Sequence, residues 1–460
     1  MHWTPASVPG FAPVDAEIGD LLMSDAPDAL AESPYTEWYE NSLRFPNSSV
    51  ARHHREIYRG RPYAEFARDW EAGLASWDPD AWAARFAAAG ARYVVFVAKH
   101  ADGYSLWPTD VAHPHRAHWH STRDVVGEMT EAVRGAGMRF GLYYCGGLDW
   151  SFSRHPMGSM SGVLAAIPRG DYPAYAEAHV RELISRYRPS VLWNDVAWPA
   201  PGAQLWPLLE QYYAQVPDGV VNDRWMPWSP LLGAAHTAVG RRLIDMGSRR
   251  QARADGGLLP PKPPVFDYRT PEYLALSDIT REPWELVRGM DRSFGYNANS
   301  RPEHFIACDE LLSLLVDVTA KGGNLLLNVG PRGVDAQIPD EQLTRLDWLA
   351  EFVGTYRDAI AGTRPWVVAG STTVEGHPLR YTARDDTVYA FVSDASGAVT
   401  LPDVAATSTT SVTSARDGAP CAWNPGADGL VVELPAASTT ALGGNAPAVV
   451  ALRNVVAAGQ

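Results

Sequence analysis

Five times in the first 330 residues, an amphipathic helix-like stretch leads into a short, continuous apolar run that ends in polar residues. "DPDAWAARFAAAG", closed by Gly90, precedes "RYVVFVAKH" (92–100). "TRDVVGEMTEAVRGAG" precedes "MRFGLYYC" (138–145), and "YPAYAEAHVRELISRYRP" precedes "SVLWNDVAW" (190–198). "GAQLWPLLEQYYAQVPD" leads into "GVVNDRW" (219–225), and "CDELLSLLVDVTAKG" into "GNLLLNVGP" (323–331). Apolar runs without alternation belong to strands covered on both faces, so the repeat predicts a parallel sheet wrapped in helices. Five such strands, with room for more between 226 and 310, point to a closed (β/α)8 TIM-like barrel rather than an open doubly wound sheet. No GxGxxG follows the first strand, which removes support for a dinucleotide fold.

Past residue 364 the texture changes. "PWVVAGSTTVEG", "RYTARDDTVYAFVSD", "GAVTLPDV" and "GLVVELP" are short Val- and Thr-rich runs bounded by Gly, Pro and Asp, the pattern of antiparallel strands. The division read from this is an α/β barrel over 1–362 and a C-terminal antiparallel β-sandwich over 363–460. "DEQLTRLDWLAEFVGTYRDAI" is the last barrel helix.

Composition narrows the function. The 460 residues carry a net charge of −14 and no basic stripe, so nucleic acid is excluded as a partner. No apolar run is long enough to span a bilayer, and no membrane partner is expected. Cys145, Cys308 and Cys421 are scattered, which predicts reduced thiols and a cytoplasmic protein, with no signal peptide in view. Assembly into a homo-oligomer is compatible with the sequence. The 17 Trp and 19 Tyr are an excess that serves either sugar faces or the packing of a large barrel.

The strand ends are polar: Lys99-His100, Tyr143-Tyr144, Asn194-Asp195, Asn222-Asp223-Arg224 and Asn328. Catalytic groups of such barrels lie at the C-terminal strand ends, although one strand-end Asp is as readily a helix cap. Repetition favours a common mouth. The histidine-rich stretches (His53, His54; His113, His115, His118, His120) lack a matched second cluster and HExxH spacing, so no metal is expected and they read as loop or surface residues. No cofactor is called for. No GxSxG elbow occurs. Carboxylates and aromatics remain, and two carboxylates at a barrel mouth are the layout of glycoside hydrolysis.

Taken together, these stretches resemble the alpha-L-fucosidases of glycoside hydrolase family 29. The resemblance rests on "HWTPASVPGF", "TEWYENSLRFPNSSVARHHREIY", "WDPDAWAARFAAAGARYVVFVAKHADGYSLWPT", "RFGLYYCGGLDW", "LWNDVAWP", "VVNDRW", "DYRTPEY", "WELVRGMDRSFGYN" and "KGGNLLLNVGP", in family order from residue 2 to about 366. It implies a retaining hydrolase of terminal alpha-L-fucosyl residues, acting on fucosylated oligosaccharides or glycoconjugates. Asp195 falls at the family's nucleophile and Glu272 at the acid/base of its bacterial branch, with Glu285 as second candidate. His2, Glu37, Trp38 and His100 match sugar-binding positions, and Arg224 one near the acid/base. Tyr143, Trp193 and Phe294 match aromatics facing the C5 methyl group. A double displacement then needs the carboxyls about 5–5.5 Å apart.

Two departures accompany the match. Ala101 follows His100 where the family has a second histidine, so one sugar-binding imidazole is absent. That admits another alpha-L-sugar, such as L-galactose or L-glucose, as substrate. Met1 stands inside the family's first strand, which predicts a truncated first stave, exposed edge groups on its neighbours, and a start of the true chain farther upstream. A barrel disabled in this way is the rival reading, a non-catalytic sugar-binding protein.

Overall fold

The computed structural model describes residues 1–230, 232–255, 259–435, 442 and 446–458. The apolar runs form parallel strands in the order β1 (Tyr93–Lys99), β2 (Arg139–Tyr144), β3 (Val191–Asn194) and β4 (Val220–Val221). Their register aligns Val97 with Tyr143 and Tyr143 with Trp193, so neighbouring strand ends share one level. A second parallel pair joins β5 (Trp284–Gly289) to β6 (Gly323–Asn328).

Two short segments close the ring. Between β4 and β5, parallel bridges Asn222–Tyr268, Arg269–Trp284 and Glu272–Val287 insert the stretch 268–272 as a further stave. Between β6 and β1 stand Met1 and His2. The Met1 amine donates to Val95 O (2.7 Å), Val97 N donates to Met1 O (3.2 Å), and His2 N donates to Val329 O (3.2 Å). Met1–His2, β1, β2, β3, β4, 268–272, β5 and β6 therefore make eight staves. The short backbone of this first stave meets both neighbours at its own level, while Asn324 of β6 is exposed and Leu325, Leu326 and Leu327 are half-buried.

Helices Pro79–Ala88, Val125–Gly135, Tyr172–Tyr187, Gly202–Gln215 and Cys308–Ala320 precede β1, β2, β3, β4 and β6. The first shows why the sequence stops and starts where it does. Asp78 caps it by accepting from Ala81 N at 3.0 Å, Pro79 opens it, and Gly90 (φ 87°) ends it against Val353, where a Cβ would collide. The tryptophan excess goes largely into packing. Trp3, Trp70, Trp107, Trp150, Trp198, Trp225 and Trp284 are fully buried, and the Trp3 ring centroid lies 4.8 Å from Trp70 and 4.9 Å from Trp82.

Helices Asp340–Thr355 and Arg357–Ile360 lead to the C-terminal strands β7 (Arg364–Thr372), β8 (Pro378–Arg384), β9 (Thr387–Val392), β10 (Ala398–Leu401), β11 (Val404–Ser414), β12 (Trp423–Gly426), β13 (Gly429–Glu433) and β14 (Ala448–Ala457). They form two antiparallel sheets, β11-β14-β9-β8-β7 and β10-β13-β12. Leu379, Val392, Leu401, Val432 and Leu452 pack in one cluster, as the alternating pattern dictates. The sheet is tied to the barrel by Arg380–Asp317 (2.6 Å) and by Thr382 Oγ1 donating to Ala359 O (2.7 Å).

Candidate active site

The turn after β3 sets the position of Asp195. Val196 has φ 70°, a left-handed conformation costly for a β-branched residue. It brings Val196 N to Asp195 Oδ1 at 2.8 Å. Gly146 and Gly147 make room, since a Cβ on Gly147 would stand 2.8 Å from Ala197 N. The strand-end Asn194 and Asn222 serve this turn: Asn222 donates to Asn194 O, and Asn194 donates to Ala197 O and Arg224 O. Lys99, paired with Asp149 at 3.0 Å and fully buried, is likewise scaffold.

Arg224 joins the two candidate catalytic carboxylates. Its Nη1 donates to Asp195 Oδ1 at 2.9 Å and its Nη2 to Glu272 Oε1 at 2.7 Å. Its Nε donates to Thr270 Oγ1, which donates to Asp223, itself paired with Arg269. Burial works against the Arg224 charge, but Glu272, Asp195 and Asp223 outweigh it and raise its pKa. The remaining oxygens take phenols: Tyr143 donates to Asp195 Oδ2 at 2.7 Å, and Tyr35 to Glu272 Oε2 at 3.1 Å.

Glu285 is separated from this pair. It accepts from Trp193 Nε1 at 3.1 Å and from the Tyr93 hydroxyl, and burial raises its pKa to about 7. A cavity of about 720 Å3 opens at the barrel mouth, lined by His2, Glu37, Trp38, His100, Tyr143, Trp193, Asp195, Arg224, Glu272, Phe294 and Asn328, among others; Glu285 is not part of its wall. Every site residue read from the sequence therefore meets in one place except Glu285, which lies behind Trp193.

The floor is built of stacked rings with polar edges. His100 stacks on Tyr143 (centroids 5.4 Å, 4°), Tyr143 on Trp193 (5.3 Å), and His2 abuts His100, Tyr143 and Phe294 edge-on. Burial pushes His100 down to about 4 and His2 well below its ordinary value, so both imidazoles are neutral and each offers one donor and one acceptor. Burial pushes Glu37 up to about 8, with Oε1 3.6 Å from His2 Nδ1. Among the described residues, both ring nitrogens of His2, His100 Nδ1 and Glu37 Oε1 are buried and make no hydrogen bond within 3.5 Å. Orphaned buried polar atoms are rare and costly, and a cluster of them is suited to a ligand rich in hydroxyls.

The structure adds to two readings and corrects a third. Ala101 is fully buried, its carbonyl accepts from Trp150 N at 2.7 Å, and its methyl group is not part of the cavity wall. His54 is no surface residue: it is buried between the Tyr39 hydroxyl (2.9 Å) and Arg61 O (2.8 Å). Tyr143 grips Asp195 as well as presenting its ring to the cavity. Tyr35 and Thr270 went unread. Both stand beside motif residues, but an isolated Tyr or Thr carries no spacing signal.

A closed barrel with two carboxylates on one arginine at its mouth, above a floor of unpaired imidazoles, defines the fold and site of a barrel glycoside hydrolase. The alpha-L-fucosidase family model matches residues 1–358, and the chain belongs to that family. It is 28% identical to an alpha-L-fucosidase of Branchiostoma floridae, over 96% of this chain and 88% of the relative. It is 27% identical to human tissue alpha-L-fucosidase, over 82% and 74% of the two chains. The structure of Thermotoga maritima alpha-fucosidase in complex with fucose superposes with a TM-score of 0.78 at 33% identity, covering 98% of this chain and 93% of that one. The same enzyme with a mechanism-based inhibitor gives 0.79 at 34%, with the same coverage.

Proposed function

We infer that the protein is a retaining alpha-L-fucosidase that removes terminal alpha-L-fucosyl residues by double displacement. The observation that carries this is Arg224, whose fork holds one oxygen of Asp195 and one of Glu272. Such a bridge suits the short carboxylate separation of a retaining enzyme. Arg224 and Val196 N occupy Asp195 Oδ1, so Oδ2, held only by the neutral Tyr143 phenol, is the attacking oxygen. It forms a bond to the anomeric carbon as Glu272, which enters this step as the neutral acid, gives its proton to the departing oxygen. Water then opens the glycosyl-Asp195 ester, with Glu272 taking its proton, and L-fucose leaves with its configuration retained. Glu272 is preferred to Glu285 as acid/base because it lines the cavity.

His2, Glu37 and His100 take the sugar hydroxyls, while Phe294 and Trp193 give an apolar wall to the C5 methyl group, which in L-fucose stands in place of a hydroxymethyl. The three free cysteines support a reducing, cytoplasmic setting, which fractionation of the source cells would check. The test of the activity is a panel of aryl alpha-L-fucoside, L-galactoside and L-glucoside with wild type and Asp195→Gly. Turnover led by the fucoside and lost in the variant is expected. Undiminished turnover in Asp195→Gly removes Asp195 from its role.

A further inference from the structure

The cavity has two kinds of wall. The barrel staves supply the polar floor, His2, His100, Asp195, Arg224, Glu272 and Asn328. The segments added outside the staves supply the rest, and one face of it is apolar: Leu22 from helix Ile18–Met23, Leu30, and Met160, Val163 and Leu164 from helix Met160–Ala165, with Ala252 from helix Ala238–Asp255, whose Ser248 and Gln251 are polar members of the same wall. The charged side chains on that side are already engaged. Arg269 is held by Asp223 (2.6 Å) and Pro260 O, and Lys262 by Glu282 (2.7 Å).

This apolar wall is built, not incidental. Ser161 N and Oγ both donate to Asp245 at 2.8 Å, and Ser159 Oγ donates to it at 3.2 Å, which pins Met160–Ala165 to Ala238–Asp255. Leu30 N donates to Gly158 O at 2.9 Å, and Arg253 donates to Met23 O at 3.2 Å, which ties in the 18–30 stretch. A sugar seated against Leu22, Leu30, Met160, Val163 and Leu164 would bury hydroxyls on side chains that offer them no hydrogen bond. An alkyl or aryl group would lose nothing polar and gain contact.

We propose that the leaving-group side of this cavity takes an apolar alcohol, so that the preferred substrate is an alpha-L-fucosyl conjugate of an alkyl or aryl aglycone rather than a fucosyl disaccharide. The proposal rests on the fucosidase reading above. It is tested with methyl and hexyl alpha-L-fucosides and an alpha-L-fucosyl disaccharide. The two alkyl alcohols are close in acidity, so a difference between them reads the wall and not the chemistry of departure. Hexyl should exceed methyl in kcat/KM by about tenfold or more, chiefly through KM, and should also exceed the disaccharide. In Met160→Gln/Leu164→Gln, both positions half-buried on one helix, the hexyl-to-methyl ratio should fall toward one. Equal rates for methyl and hexyl, or a preference for the disaccharide, overturn the inference and leave the fucosidase intact. No turnover of any fucoside overturns both.

Discussion

Between the C-terminal sheets, Leu379, Val392, Leu401, Val432 and Leu452 are as buried as any residues of the chain, and all are apolar. At the barrel mouth Glu37, His100, Arg224 and Glu272 are also less than a tenth exposed, and all are titratable. The sandwich core is stabilised by burial alone, which favours any side chains of suitable shape. The mouth is stabilised by the groups around it and holds charges, neutral imidazoles and unpartnered atoms that a mere scaffold would have replaced. Burial of this second kind weighs against stability and in favour of chemistry.

Substitutions can sharpen that contrast, from the largest expected loss of turnover to none. Asp195→Gly removes the attacking oxygen, and kcat/KM for an aryl fucoside should drop by about 10⁴-fold or more in steady-state assays. Glu272→Gln should cost about 10²–10⁴-fold with a poor alcohol leaving group and much less with an activated aryl one. Glu285→Gln should show no such dependence on the leaving group. An equal response of the two variants across a leaving-group series would return Glu285 to contention.

Arg224→Met strands Asp195 and Glu272 together without their shared cation. Loss of a buried partner of this kind costs about 3–5 kcal/mol, so both melting temperature and turnover should fall. Glu37→Gln gives a signed pH effect. Burial raises the Glu37 pKa from 4.5 to about 8, so the folded protein retains a proton there that the unfolded chain releases. The stability this lends is full below about pH 4.5 and is lost as pH rises to about 8. The melting-temperature gap between Glu37→Gln and wild type should therefore move in favour of the variant across that window; a gap that stays constant contradicts it. Leu452→Ala, in the sandwich, should cost about 2–5 kcal/mol in chemical denaturation while kcat of the folded enzyme stays unchanged. A large drop in kcat would show that the two regions are coupled.

The same contrast explains what the sequence made legible. Strands β1, β2 and β3 announce themselves as unbroken apolar runs because both faces are covered, and β6 reads the same way although Leu325, Leu326 and Leu327 are only half-buried. The stave at 268–272 does not, since "YRTPE" is polar and pairs only through isolated bridges. Its backbone follows its neighbours rather than its own propensity. Asp195 and Glu272, the proposed catalytic pair, were picked out through motif resemblance, and the structure brings both to Arg224. What the chain alone withheld was the wiring: that Arg224 spans both carboxylates, that Tyr143 and Tyr35 hold their outer oxygens, and that Ala101 faces the core. Those contacts join residues far apart in sequence, and no local pattern encodes them.

The central claim is that Asp195 and Glu272 act together in a retaining displacement, and the anomer first released from an aryl alpha-L-fucoside tests it most directly. Proton NMR of the early reaction should show alpha-L-fucose appearing first, with the beta anomer growing in later by mutarotation. Beta-L-fucose as the first product would mean a single inverting displacement and would contradict the account.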